Sequence, residues 1–122
     1  MPPVLEGRTH LTRFLPNGDL DPSFGDGGRV VLNRGPVRAL TVDAEGRPIV
    51  ALGYAGIKLR RFRPDGTPDG GFGPGGRLTA RAWPAGAIAL DDSGRIYTVG
   101  SARGPKRKTG YGIQVARFIP GA

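Results

Sequence analysis

The chain has 122 residues, 22 of them Gly and 12 Pro, with no Cys and a formal net charge of +8. Gly and Pro at that density exclude long amphipathic helices, no apolar run approaches the ~18 residues of a membrane helix, and the lack of a three-residue Gly period excludes collagen. Without Cys there is no disulfide framework, thiol nucleophile or thiolate metal site.

Apolar residues set between turn signals predict nine short strands. The first covers 10–14. A turn-rich segment, Pro16-Asn17-Gly18 through Gly27-Gly28, leads to strands over 29–32, 38–42, 48–52 and 57–62. A second such segment, Pro64-Asp65-Gly66 through Gly75-Gly76, leads to strands over 77–80, 87–90, 95–99 and 113–118. Asp43-Ala44-Glu45-Gly46 and Asp91-Asp92-Ser93-Gly94 have the wording of tight hairpin turns, with Gly supplying the positive φ.

The two sets are copies. At a shift of 48 residues, 16 of the 37 pairs between 11–47 and 59–95 are identical, and a partial third copy opens at Val115-Ala116-Arg117-Phe118. Repeat one spans 11–58, repeat two 59–114 with a basic insertion at 101–111, and the partial third 115–122. Four short strands per repeat predict an all-β, β-propeller-type fold. The expected architecture is two four-stranded antiparallel blades plus one extra strand, an incomplete propeller. Propellers close with about four to eight blades. The expected partner is therefore another copy of this chain in a homo-oligomer, or the remainder of a longer propeller.

The segments between the expected blades carry the most specific wording. Arg13-Phe14, Asn17-Gly18, Asp21-x-x-Phe24-Gly25-x-Gly27-Gly28-Arg29 returns as Arg61-Phe62, Asp65-Gly66, Asp69-x-x-Phe72-Gly73-x-Gly75-Gly76-Arg77, followed by Gly46-Arg47 and Gly94-Arg95. Over about residues 11–120 this pattern resembles the bacterial delta-60 repeat family. The resemblance implies a β-propeller module found in tandem in large bacterial proteins, often exported or at the cell surface, without assigned catalytic or ligand residues. Family members hold more copies than two, and Asp21-Pro22-Ser23 loosens here to Asp69-Gly70-Gly71. The N-terminal wording has no signal-peptide pattern, so an extracellular or cell-surface location rests on the resemblance alone.

The repeated positions Arg13, Phe14, Asp21, Phe24, Arg61, Phe62, Asp69, Phe72, Arg117 and Phe118 read as structural. Asp21 and Asp69 are placed to accept backbone N–H bonds two or three residues on and so turn Phe24 and Phe72 inward, each burial contributing ~2 kcal/mol. Arg13, Arg61 and Arg117 share a strand side with Leu11, Leu59 and Val115. On an apolar face each needs a carboxylate, from the 21/69 or the 43/91 pair, and a blade-linking Arg–Asp pair is expected. Asn17, Asp19, Asp21 and Asp26 could supply Ca²⁺ oxygens, but repeat two has Thr67 and Pro74 where repeat one has two of them, so no metal or cofactor is expected.

Two readings compete for the basic insertion. Arg103, Lys106, Arg107, Lys108 and Tyr111 are candidate anion-binding residues, with Tyr111 and Trp83 as stacking faces for a polyanion or glycan. The alternative is a solvated loop, the usual fate of a charge run. A Ser–His–acid triad would have to use His10, the single His, at a position where neither other copy has one; no catalytic residue is assigned. The functional expectation is a non-enzymatic structural or protein-interaction scaffold, with polyanion or glycan binding as the alternative and a channel enzyme as the weakest reading.

Overall fold

The computed structural model describes residues 8–32, 36–53, 56–81, 84–103 and 111–120, with backbone alone for 101–103 and 111–113. It holds nine strands: β1 (Thr9–Thr12), β2 (Arg29–Leu32), β3 (Val37–Val42), β4 (Pro48–Leu52), β5 (Ile57–Arg61), β6 (Arg77–Ala80), β7 (Ala87–Leu90), β8 (Ile96–Arg103) and β9 (Tyr111–Phe118). A 3-10 turn, Pro74–Gly76, precedes β6. All ladders are antiparallel between chain neighbours, and the molecule is all-β. The sheets are not closed into a ring, the form of an incomplete propeller.

Strands and sheets divide the chain differently. The described strands form sheets of two (β1-β2), four (β3-β4-β5-β6) and three (β7-β8-β9). The expectation of two complete blades after one leading strand therefore shifts by one strand: β6, assigned to the second set, closes the first complete sheet. The segments rich in Gly and Asp consequently lie within a sheet rather than between blades. Each folds back on itself through an isolated bridge, Phe14 with Leu20 and Phe62 with Pro68. That closure brings its two ends to ladder distance, so β1 pairs with β2 and β5 with β6. The chain crosses to a new sheet elsewhere, between Leu32 and Val37 and between Ala80 and Ala87.

Two apolar clusters hold the sheets together. Leu11, Phe24 and Leu32 of the first sheet unit pack on Val50 and Phe62. On the other side, Ile49, Ala51, Ile57, Leu59 and Phe72 pack on Ala85 and Ile96, with Ile88, Leu90 and Phe118 beside them. β4 serves both clusters, since alternate residues leave a strand on opposite faces. Its unbroken run Pro48-Ile49-Val50-Ala51-Leu52 is what a strand covered on both faces requires. β3, by contrast, has a covered Ala39 on one face and exposed Leu40 and Val42 on the other.

The basic insertion lengthens one hairpin. β8 and β9 have eight residues each, against five in β4 and β5, and their register runs on to Arg103 opposite Tyr111. Lys106, Arg107 and Lys108 lie outside the described residues, as does Trp83.

Candidate functional site

The repeated wording builds one device twice. In the first copy Arg13 Nε donates to Asp21 Oδ2 at 2.8 Å, and the guanidinium lies 4.5 Å from the centre of the Phe24 ring. In the second, Arg61 Nε donates to Asp69 Oδ2 at 2.8 Å with the guanidinium 4.7 Å from the Phe72 ring. The backbone completes the geometry: the Asp69 N–H donates to the Arg61 carbonyl at 3.0 Å, and the Phe72 N–H to the Asp69 carbonyl at 3.0 Å. One carboxylate thus fixes the strand end and the turn together. The aromatic ring is carried inward, and Phe24 and Phe72 are both buried.

The two copies differ where their sequences do. Asp21 Oδ1 accepts from the Ser23 amide at 2.9 Å and the Ser23 hydroxyl at 2.6 Å, whereas Asp69 Oδ1 accepts the Gly71 amide at 3.1 Å and has no hydroxyl at the position of Ser23. The Ser23 hydroxyl and amide hold the Asp21 carboxyl below the usual carboxylate range, with Arg13 assisting. At Asp69 burial pushes the carboxyl up, but the Gly71 amide and the Arg61 guanidinium outweigh it, and the net direction is down. Each pair joins residues eight apart within one repeat. The expected blade-linking role is corrected accordingly: the ion pair closes its own loop, because the loop folds back beneath the strand that carries the Arg.

Contact between successive loops uses backbone groups and the outer end of the Arg13 guanidinium. The Gly25 N–H donates to the Asp65 carbonyl at 2.7 Å, and Arg13 Nη1 to the Pro64 carbonyl at 2.5 Å. Gly66, at φ +91°, lies so close that a Cβ there would sit 2.7 Å from the Gly25 nitrogen. A side chain at Gly66 would separate the loops.

The second recurring device is the hairpin turn. Asp43 Oδ1 accepts from the Glu45 and Arg47 amides at 3.0 and 2.9 Å, while Arg47 Nε donates to Asp43 Oδ2 at 2.6 Å. Asp91 repeats this with the Ser93 and Arg95 amides and with Arg95 Nε at 2.6 Å, adding the Tyr97 hydroxyl at 3.1 Å. So the 21/69 carboxylates take Arg13 and Arg61, and the 43/91 carboxylates take Arg47 and Arg95. Arg47 also reaches Asp69 at 3.5 Å and ties turn to loop. The arginines of these turns went unassigned from sequence, although their recurrence as Gly46-Arg47 and Gly94-Arg95 is a legible signal.

Among the described residues, one cleft opens beside the hairpin turns and another along the β5–β6 ladder. One, of about 500 Å³, lies between the β3–β4 and β7–β8 turns and is lined by Asp43, Glu45, Arg47, Asp91 and Asp92. Asp43 and Asp91 are already paired, and among the described residues no group of three or more His, Asp or Glu is placed to hold a metal ion. Three of the four Ca²⁺ candidates are likewise engaged: Asn17 Oδ1 accepts the Asp19 amide at 3.0 Å, Asn17 Nδ2 donates to Asp19 Oδ2 at 3.2 Å, and Asp21 faces Arg13 and Ser23. The other cleft, of about 290 Å³, is lined by Lys58, Arg60 and Arg77. Arg60 lies directly across the ladder from Arg77, and burial first, then that like charge, lower its pKa. Nothing in the repeat announces it, because Thr12 stands at the Arg60 position of the first copy.

The remaining sequence-predicted positions are dispersed. Phe14 is exposed and Phe62 buried; Phe118 is half-buried; Arg117 is exposed and makes no ion pair among the described residues. Arg103 and Tyr111 are opposite one another at the far end of the β8–β9 ladder.

A family model described as a β-propeller domain of unknown function (DUF5122) matches residues 6–24, which hold β1 and the first Asp21-x-x-Phe24 turn. The match supports a β-propeller-like repeat family. No curated protein and no solved structure matches the chain.

Proposed function

We propose that this chain is a non-enzymatic propeller-repeat module of the delta-60 kind, a structural or protein-interaction scaffold that associates with copies of itself or with the rest of a longer propeller. The observation that carries this reading is the state of the two outer flanks. Each interface between sheets is built on an apolar cluster, yet the first sheet unit leaves Phe14 and Val31 exposed, the second leaves Leu40 and Val42 exposed on the face that carries Val50, and the third leaves Val99 and Val115 exposed. Stacked repeats bury their faces only against neighbours, so a neighbour is what this surface asks for. Asp21, Asp43, Asp69 and Asp91 and their arginine partners are engaged in closing turns and loops, which supports a scaffold reading of the repeated positions.

A tandem fusion of two copies tests the reading. Covering one flank within the same chain should raise the unfolding midpoint above that of the single chain at matched dilution. An unchanged midpoint would contradict it.

A second reading, polyanion or glycan binding, draws on the net charge of +8, on the sequence cluster Arg103, Lys106, Arg107, Lys108 and Tyr111, and on the ladder that sets Arg103 opposite Tyr111. Its signature would be retention on heparin that salt weakens and that replacing Lys106, Arg107 and Lys108 with Ala abolishes.

A further inference from the structure

The two open flanks are the two halves of an interface that the second and third sheets already form within the chain. Register sets the correspondence. Leu40 faces Val50 across β3–β4 as Ile88 faces Thr98 across β7–β8, and Ala51 faces Leu59 across β4–β5 as Val99 faces Val115 across β8–β9. In the middle sheet Ala51 and Leu59 are each 1% exposed, packed in the cluster that includes Ile96 of the third sheet. Their counterparts Val99 and Val115, on the last sheet, are 42% and 64% exposed. The opposite face behaves the same way. Ile88 and Leu90 pack on the cluster between the second and third sheets, whereas their counterparts Leu40 and Val42 are 52% and 56% exposed beside a first sheet that has two strands among the described residues. Position in the repeat is constant; only the presence of a neighbouring sheet changes.

We propose that the chain assembles head to tail with further copies of itself, the Val99–Val115 face of one copy covering Leu40 and Val42 of the next. This rests on the scaffold reading above and names its partner. The occupant is a second copy because the surface that fits Leu40 and Val42 is carried by the same molecule on its other side, in the register of an interface it already forms. Such a contact is heterologous, so each copy uses both flanks and the series closes into a ring if its rotation permits.

The joint also dictates an exchange of strands. β1 and β9 hold the same rank in their sheets, since Leu11, Leu59 and Val115 are equivalent positions. Only one of the two can lie beside β2. The β1–β2 ladder has four residue pairs and the β8–β9 ladder eight, so β1 is the strand that yields. The composite sheet is then β7-β8-β9 of one copy followed by β2 of the next. Val115 takes the place of Leu11 opposite Val30, and Arg117, exposed in the single chain, takes the place of Arg13 beside Asp21.

Two double variants read the joint directly. L40K/V42K blocks one flank and V99K/V115K the other; all four side chains are exposed, so each variant should keep the circular dichroism and unfolding midpoint of the dilute native chain. In sedimentation equilibrium the native chain should have a mass that is a multiple of 12.8 kDa, and each variant alone should fall to 12.8 kDa. An equimolar mixture of the two variants retains one good joint and should form a 1:1 dimer and nothing larger. A native chain that stays monomeric, or a mixture that does, overturns the proposal. Native association that both variants leave intact overturns head-to-tail packing while leaving the scaffold reading standing, which the tandem fusion tests separately. The chain has no Cys, so V30C/V115C adds the only thiols. Oxidation should produce a covalent ladder on a denaturing gel, and a single monomer band from an associated sample overturns the strand exchange.

Discussion

At the scale of single residues, the two copies of the Arg–Asp–Phe device differ in burial, and that decides their worth. Arg61 is 7% exposed and meets Asp69, whereas the Arg13 side chain is 33% exposed. Removing one member of a buried pair strands the other charge, at a cost of about 3–5 kcal/mol. A solvated pair returns less than about 1 kcal/mol. Arg61→Ala should therefore lower the urea midpoint clearly, and Arg13→Ala by a small fraction of that; equal effects would mean that burial is not the deciding variable. Acid should act through the carboxylates. Asp21, Asp65, Asp69 and Asp91 are all held below the ordinary value of 3.8 in the folded chain, by the Ser23 hydroxyl and amide at Asp21 and the Thr67 hydroxyl and amide at Asp65. At Asp69 and Asp91 burial opposes the shift but is outweighed by amide and guanidinium donors. A depressed folded pKa means that the unfolded chain takes up protons first as pH falls. The stability these groups supply is complete above the unfolded value and lost as pH drops through the folded ones. A pH titration of the unfolding midpoint should show a decline setting in near pH 4, carried by these four groups.

At the scale of elements, the same residue type at the same repeat position has different consequences according to which sheet lies beside it. Phe14 and Phe62 both follow the repeated Arg, but Phe62 is packed with Leu11, Phe24, Leu32 and Val50 while Phe14 is exposed. Emptying a packed site costs the lost burial and leaves a cavity, about 3–5 kcal/mol for Phe→Ala. At an exposed site the change stays within about 0.5 kcal/mol. Phe62→Ala should shift the denaturation midpoint strongly and Phe14→Ala hardly at all in the dilute chain. Strand positions were largely legible, because alternation and turn chemistry are local: Gly46 and Gly94, at φ +80° and +79°, close hairpins between apolar runs. The Asp21 and Asp69 turns were legible for the same reason, being hydrogen bonds across two or three residues.

At the scale of the whole molecule, what adjacent residues could not reveal is which ladders share a sheet. A connection of fifteen residues from Phe62 to Gly76 looks long enough to cross to a new blade, yet its bridge from Phe62 to Pro68 folds it shut, and β5 and β6 stay paired. The partner of each Arg was hidden likewise, since four carboxylates were candidates and only the folded loop brings Asp69 to 2.8 Å from Arg61. The cationic cleft at Lys58, Arg60 and Arg77 was not legible, because only Arg77 recurs, as Arg29, and the ladder that sets Arg60 opposite it is a matter of which strands pair. From sequence alone came the repeat, its nine strands, its turns and its incompleteness, all properties of short stretches of chain. The tertiary structure decided where sheets begin and end, which Arg meets which Asp, and which apolar residues remain uncovered. Those depend on contacts between distant segments, and burial is a property of neighbours rather than of residue type.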